Sequence, residues 1–149
     1  MEFGNSLNSI RYPYKEDGIL PDGSKLADIP IMKLILLRRD LKKALVGEAI
    51  ADTGFDESLY ANIQLVEFLA GLRPIRTSIL RALSHEVTCE VFKIECYLAD
   101  NNLKPALNLQ EVEVYVPINV EDLSEDVIID RVILNRLKLQ LNGKFLQVL

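Results

Sequence analysis

The single histidine, His85, stands between Ser84 and Glu86, so one tripeptide holds the side-chain types of a nucleophile, a base and an orienting acid. Those groups must converge in space, which neighbours on one backbone rarely do. His85 therefore reads as a polar residue at a junction between elements. One histidine and the two cysteines, Cys89 and Cys96, cannot build an ordinary zinc shell. Seven positions apart, the thiols would be ~23 Å apart on a strand and ~10 Å apart along a helix axis, too far for a disulfide. They read as small buried hydrophobes. Glu121, Asp122, Glu125 and Asp126 could gather a hard cation, but they lack the glycine and alternating spacing of a calcium loop and suit a solvated, helix-capping turn. The seven glycines are scattered, with no phosphate-cradling loop. No catalytic constellation, metal or cofactor is expected.

Cationic side chains offer binding chemistry instead. Arg38, Arg39, Lys42 and Lys43 would form one broad strip if their segment were helical, because 38 neighbours 42 and 39 neighbours 43. Such a strip is either a solvated face, partly neutralised by Asp40, or a docking face for an acidic protein partner. Arg73, Arg76 and Arg81 form a sparser cluster. With His85, Arg73 and Arg76 could orient an anionic group in an apolar pocket, which is the alternative reading: a small-ligand binder or enzyme. Residues 1–85 carry 11 basic and 11 acidic side chains, and residues 86–149 carry 6 and 11, so the net charge of −5 arises in the second half. An acidic half repels phosphate backbones, and no nucleic-acid partner is expected.

The elements that position these groups follow from a change of hydrophobic period near His85. Before it, Leu34, Leu37, Leu41 and Leu45, then Leu59, Ile63, Val66 and Leu69, then Ile75, Ile79 and Leu83 recur at helical spacing. After it, Val112, Val114, Val116 and Ile118, and again Leu137, Leu139 and Leu141, alternate as in strands. The spacing predicts a helix from about Asp28 to Asp52, although the nearly all-apolar run Ile29 to Leu37 also fits a strand. A second helix opens at Asp56 or Ser58 and ends near Gly71, and a third runs from Ile75 to about Ser84. Residues 87–98 are rich in β-branched and aromatic side chains and read as a strand, with a helical fit still open. Their alternation slips by one between Val91 and Phe92, which requires a bulge or a change of buried face. Gln110 to Val116 is the clearest strand, with Glu111, Glu113 and Tyr115 outward, and Pro117 ends it. Ser124 to Asp126 cap a short helix that buries Ile128, Ile129, Val132 and Ile133. Asn142-Gly143 between alternating stretches signals a C-terminal hairpin.

At 149 residues, 49% apolar and 26% charged, the chain suits one globular domain. Residues 1–28 read as an extended arm, because Tyr12-Pro13-Tyr14, Asp17-Gly18 and Pro21-Asp22-Gly23 are turn chemistry without a period. Phe3, Tyr12 and Tyr14 are the aromatics such an arm would insert into a neighbouring subunit. The longest apolar run, Ile31 to Leu37, is far short of the ~20 residues of a membrane span. Met1 to Asn8 lack a basic start and an apolar stretch, so a cytoplasmic or virion location is expected.

Gly47-Glu48 followed by Gly54-Phe55-Asp56 and Leu59, with the element order after them, is similar to small baseplate-wedge proteins of contractile phage tails. The similarity spans about residues 30–118, without that family's Glu-Pro-Arg signature and with no counterpart for residues 119–149. It implies structural assembly. The expected fold is α+β: an arm (residues 1–28), then one domain (29–149) with about three helices on a small, mainly antiparallel sheet ending in a hairpin. The expected function is a non-enzymatic structural subunit of a homo- or hetero-oligomer, possible settings being a virion or tail-like particle. Its partner-binding residues would be Phe3, Tyr12, Tyr14, Arg38, Arg39, Lys42 and Lys43.

Overall fold

The computed structural model describes residues 9–54, 57–82 and 85–149. In chain order the elements are β1 (Ile10–Pro13), β2 (Ile31–Arg38), β3 (Lys43–Ala51), β4 (Leu59–Tyr60), α1 (Ile63–Phe68), β5 (Arg76–Ala82) and β6 (His85–Ala99). β7 (Pro105–Pro117), a 3-10 turn (Val120–Asp122), β8 (Val127–Ile129), α2 (Arg131–Leu134), β9 (Leu139–Leu141) and β10 (Phe145–Val148) complete it. Strand makes up 52% and helix 10% of the protein, which overturns the expected three helices on a small sheet. The ring β2-β3-β8-β4-β7-β6 closes on itself through a β2–β6 pairing, giving a six-stranded barrel.

The region expected to form the first helix is a hairpin. β2 pairs with β3 from Ile31↔Ile50 to Arg38↔Lys43 around a turn in which Lys42 takes φ 53°. Nearly every residue of β2 is buried, so its apolar run matches any period, helical spacing included. Leu41, read as part of the helical stripe, is exposed at the turn. The strand reading of Ile31 to Leu37 is the one the structure adopts, and Gly47 and the β-branched Ile31, Ile35, Val46 and Ile50 favour it.

The second expected helix shrinks to α1, where the Asn62 side chain accepts the Leu65 N–H at 3.0 Å and so caps the first turn. Gly71, at φ 91°, closes the turns that follow. The third expected helix is β5, an edge strand paired only with β6 from Arg76↔Val91 to Ala82↔His85. Its helical spacing misled because Ile75 and Ile79, two members of the stripe, are exposed and Leu80 is buried instead. The expected helix near residue 128 divides into β8 and the one-turn α2.

The second half matches its reading more closely. Residues 87–98 lie within β6, Gln110 to Val116 lie within β7, and β7 ends at Pro117. The slip between Val91 and Phe92 is a change of buried face. Val87, Cys89 and Val91 pack in a small core with Tyr60, Leu80 and Tyr115, whereas Phe92, Ile94, Cys96 and Leu98 point into the barrel. Tyr115, expected to face outward, is on the outside of the barrel but buried by that small core. Asn142-Gly143 links β9 to β10 with Gly143 at φ 88°, as a tight turn requires.

The arm folds back onto its own chain. β1 pairs with β10, and β10 with β9, in a three-stranded sheet whose Ile10, Tyr12, Leu146 and Val148 join the barrel core. Tyr12 is fully buried, and its hydroxyl donates to the Ala99 carbonyl at 2.6 Å. Among the described residues no helix is long and apolar enough to cross a membrane.

Candidate functional site

The groups with catalytic residue types stay apart. His85 is 65% exposed at the start of β6, with Nε2 3.4 Å from Asp122 Oδ1, and Ser84 lies outside the described residues. Cys89 and Cys96 are free and buried in different cores, and burial pushes their thiols up to about 11 and about 12, far from reactive thiolates. No group of three or more metal-capable side chains converges among the described residues. Arg76 does not point into an anion pocket. Its guanidinium donates to both Glu113 oxygens (2.8 and 2.6 Å) and to the Tyr115 hydroxyl (2.9 Å), while Arg73 is exposed beyond α1.

The four basic residues come together at the β2–β3 turn, not on a helix. Arg38, with its side chain 4% exposed, turns inward. It donates to the Phe68 and Ala70 carbonyls at the end of α1 and pairs with Asp40, so it tethers the helix to the hairpin. Its charge also suits the negative end of the α1 dipole. Arg39 forms a two-bond pair with Glu95, both at 2.7 Å, which holds the Glu95 carboxyl below the usual range. Lys42 and Lys43 are exposed at the tip. Of the arm residues, Tyr12 is in the chain's own core, Tyr14 packs half-buried against it, and Phe3 lies outside the described residues.

Two features went unread in the sequence. The first is Asp130, fully buried between β8 and α2 with neither carboxylate oxygen hydrogen-bonded. Burial first, then Asp52 and Glu57, push its carboxyl up to about 8, against a lesser opposing pull from Arg131. Its surroundings, Ile128-Ile129 before it and Ile133-Leu134 after it, were the available signal.

The second is an apolar surface on a flap formed by β5, the first half of β6 and the end of β7. Ile79 pairs with Thr88, and the Ile118 N–H donates to the Thr88 carbonyl at 2.9 Å, so the two isoleucines flank Thr88 in one row. They are 55% and 57% exposed. The next residues on that face are Arg81 and Glu86 to one side and Thr77 and Glu90 to the other. Inside the barrel the same face of β6 carries the core residues Phe92 and Ile94. Chemically, this surface can pack against another apolar surface.

Compared with family models, with curated proteins and with solved structures, the chain finds no match.

Proposed function

We propose that the chain is a non-enzymatic assembly subunit that contacts a second copy of itself through the flap. The observation that supports this most is the exposed Ile79–Thr88–Ile118 row, a bare continuation of the face that forms the barrel core. Two exposed isoleucines on either side of Thr88 on one sheet face favour burial against a partner. The flanks of the row carry both charges, so a two-fold-related copy can set its Glu90 against Arg81. The arm does not supply the contact in this reading, because Tyr12 is already used by its own core.

Light scattering on the full chain tests the proposal. The expected absolute mass is a multiple of 16.9 kDa that holds on dilution to micromolar concentration. A mass of 16.9 kDa at every concentration contradicts it.

A further inference from the structure

The barrel is closed at one end and split at the other. β2 lines the whole of β3, but β8 reaches β3 only at Ala49–Ala51. The Ala51 N–H donates to the Pro30 carbonyl at 3.1 Å, so odd-numbered residues of β3 direct their backbone groups to β2. The Asp52 N–H donates to Ile129 at 3.0 Å, on the opposite side, as the alternation requires. Ala44 and Val46 therefore direct N–H and C=O groups out of an open edge, and Glu48 its N–H, while the Glu48 carbonyl faces Val127 of β8.

A slot of about 320 Å³ runs along that edge. Leu34, Leu36 and Leu45 supply its apolar lining, and Asn62, Glu125 and Asp126 stand across from β3. Gly47 sits between them, and a Cβ built there would meet nothing within 4 Å. Its φ is not one that requires glycine. Glycine inside a strand weakens it, and one use of such a position is to leave room for another backbone or ligand to approach.

The geometry points to this slot as a docking groove for an extended segment of a partner protein, which adds to β3 as a further strand. An apolar side chain of the segment fills the space beside Gly47 against Leu34, Leu36 and Leu45. A basic residue of the segment meets Glu48, which sits across from Lys33 of β2 without an ion pair among the described residues, Glu125, likewise without one, and Asp126, whose ion pair among the described residues is with Lys15 at 3.4 Å. A polypeptide backbone is the ligand whose donors and acceptors alternate at the spacing of an open strand edge. This inference goes beyond the self-contact of the flap and adds a separate surface.

The test is selection of a random dodecapeptide phage library on the full chain, followed by fluorescence anisotropy with a selected peptide. Gly47→Val has room for its side chain and suits a strand, and Glu48→Lys reverses the charge without touching the core. Melting temperatures of both variants confirm folding. Selected peptides are expected to alternate apolar residues and carry a lysine or arginine. Affinity is expected to fall about tenfold or more in Gly47→Val and less in Glu48→Lys. No enrichment, or peptides that bind Gly47→Val as tightly as wild type, would overturn the groove. If Gly47→Val instead lowers the mass of the protein, the occupant is a second copy and the partner assignment is wrong. Failed selection beside an intact oligomer overturns the groove alone, and peptide binding by a strict monomer overturns the flap contact alone.

Discussion

The two halves of β6 live in different surroundings. From Phe92 to Leu98 its inward side chains belong to the barrel, with β7 along one edge and, from Glu95 onward, β2 along the other. From His85 to Val91 the strand instead pairs with β5, buries its opposite face in a core of a few side chains, and leaves Thr88 and its isoleucine neighbours open. One half is organised to hold the chain together, the other to present a surface. Burying alternate faces in turn lets a single strand serve both ends, because successive side chains point to opposite sides of the sheet.

Truncation in the barrel half should produce the largest effect. Leu98→Ala removes a fully buried side chain and is expected to cost about 2–5 kcal/mol in denaturant unfolding, whereas Ile79→Ala should stay within about 0.5 kcal/mol. Equal costs would erase the distinction between the halves. Asp130 gives the barrel a pH dependence. Its folded carboxyl, at about 8, is raised above the ordinary value near 3.8, so the folded state holds a proton that the unfolded chain releases. The contribution of this one group is full below about pH 4 and is lost as pH rises toward 8, by a few kcal/mol. Asp130→Asn should flatten that fall, which melting at pH 5 and pH 9 would show. Tyr12→Phe removes the hydroxyl bonded to Ala99 and is expected to cost about 1 kcal/mol, a sign that the arm belongs to the barrel. The smallest effect on the single chain, measured at a dilution where wild type dissociates, is expected for the double variant Ile79→Lys/Ile118→Lys, since both side chains meet solvent there.

What the sequence disclosed depended on how many faces each strand buries. β7, whose Val112 and Val114 alternate with exposed Glu111 and half-exposed Glu113 before Tyr115 is buried on the other face, and the Asn142-Gly143 hairpin carried plain local signals and were legible. β2 was not, because burial on both faces removes alternation and leaves an apolar run that leucines at helical spacing can imitate. β5 failed for the opposite reason: its exposed Ile79 looked like core. The slip at Val91–Phe92 was visible as a choice between a bulge and a change of face, and only pairing with β5 selects the second. The basic cluster was legible as residues but not as geometry, since nothing local reveals that Arg38 turns inward to the end of α1. Barrel closure depends on the β2–β6 pairing between residues some sixty positions apart, which no local pattern encodes.

The most direct test of the assembly account is the absolute mass of Ile79→Lys/Ile118→Lys beside that of wild type, with melting temperatures measured on the same samples. The account predicts an oligomer for wild type and a folded 16.9 kDa chain for the variant, with a single cooperative melt lowered only by the loss of the contact. A variant that melts like wild type and keeps its mass would contradict it.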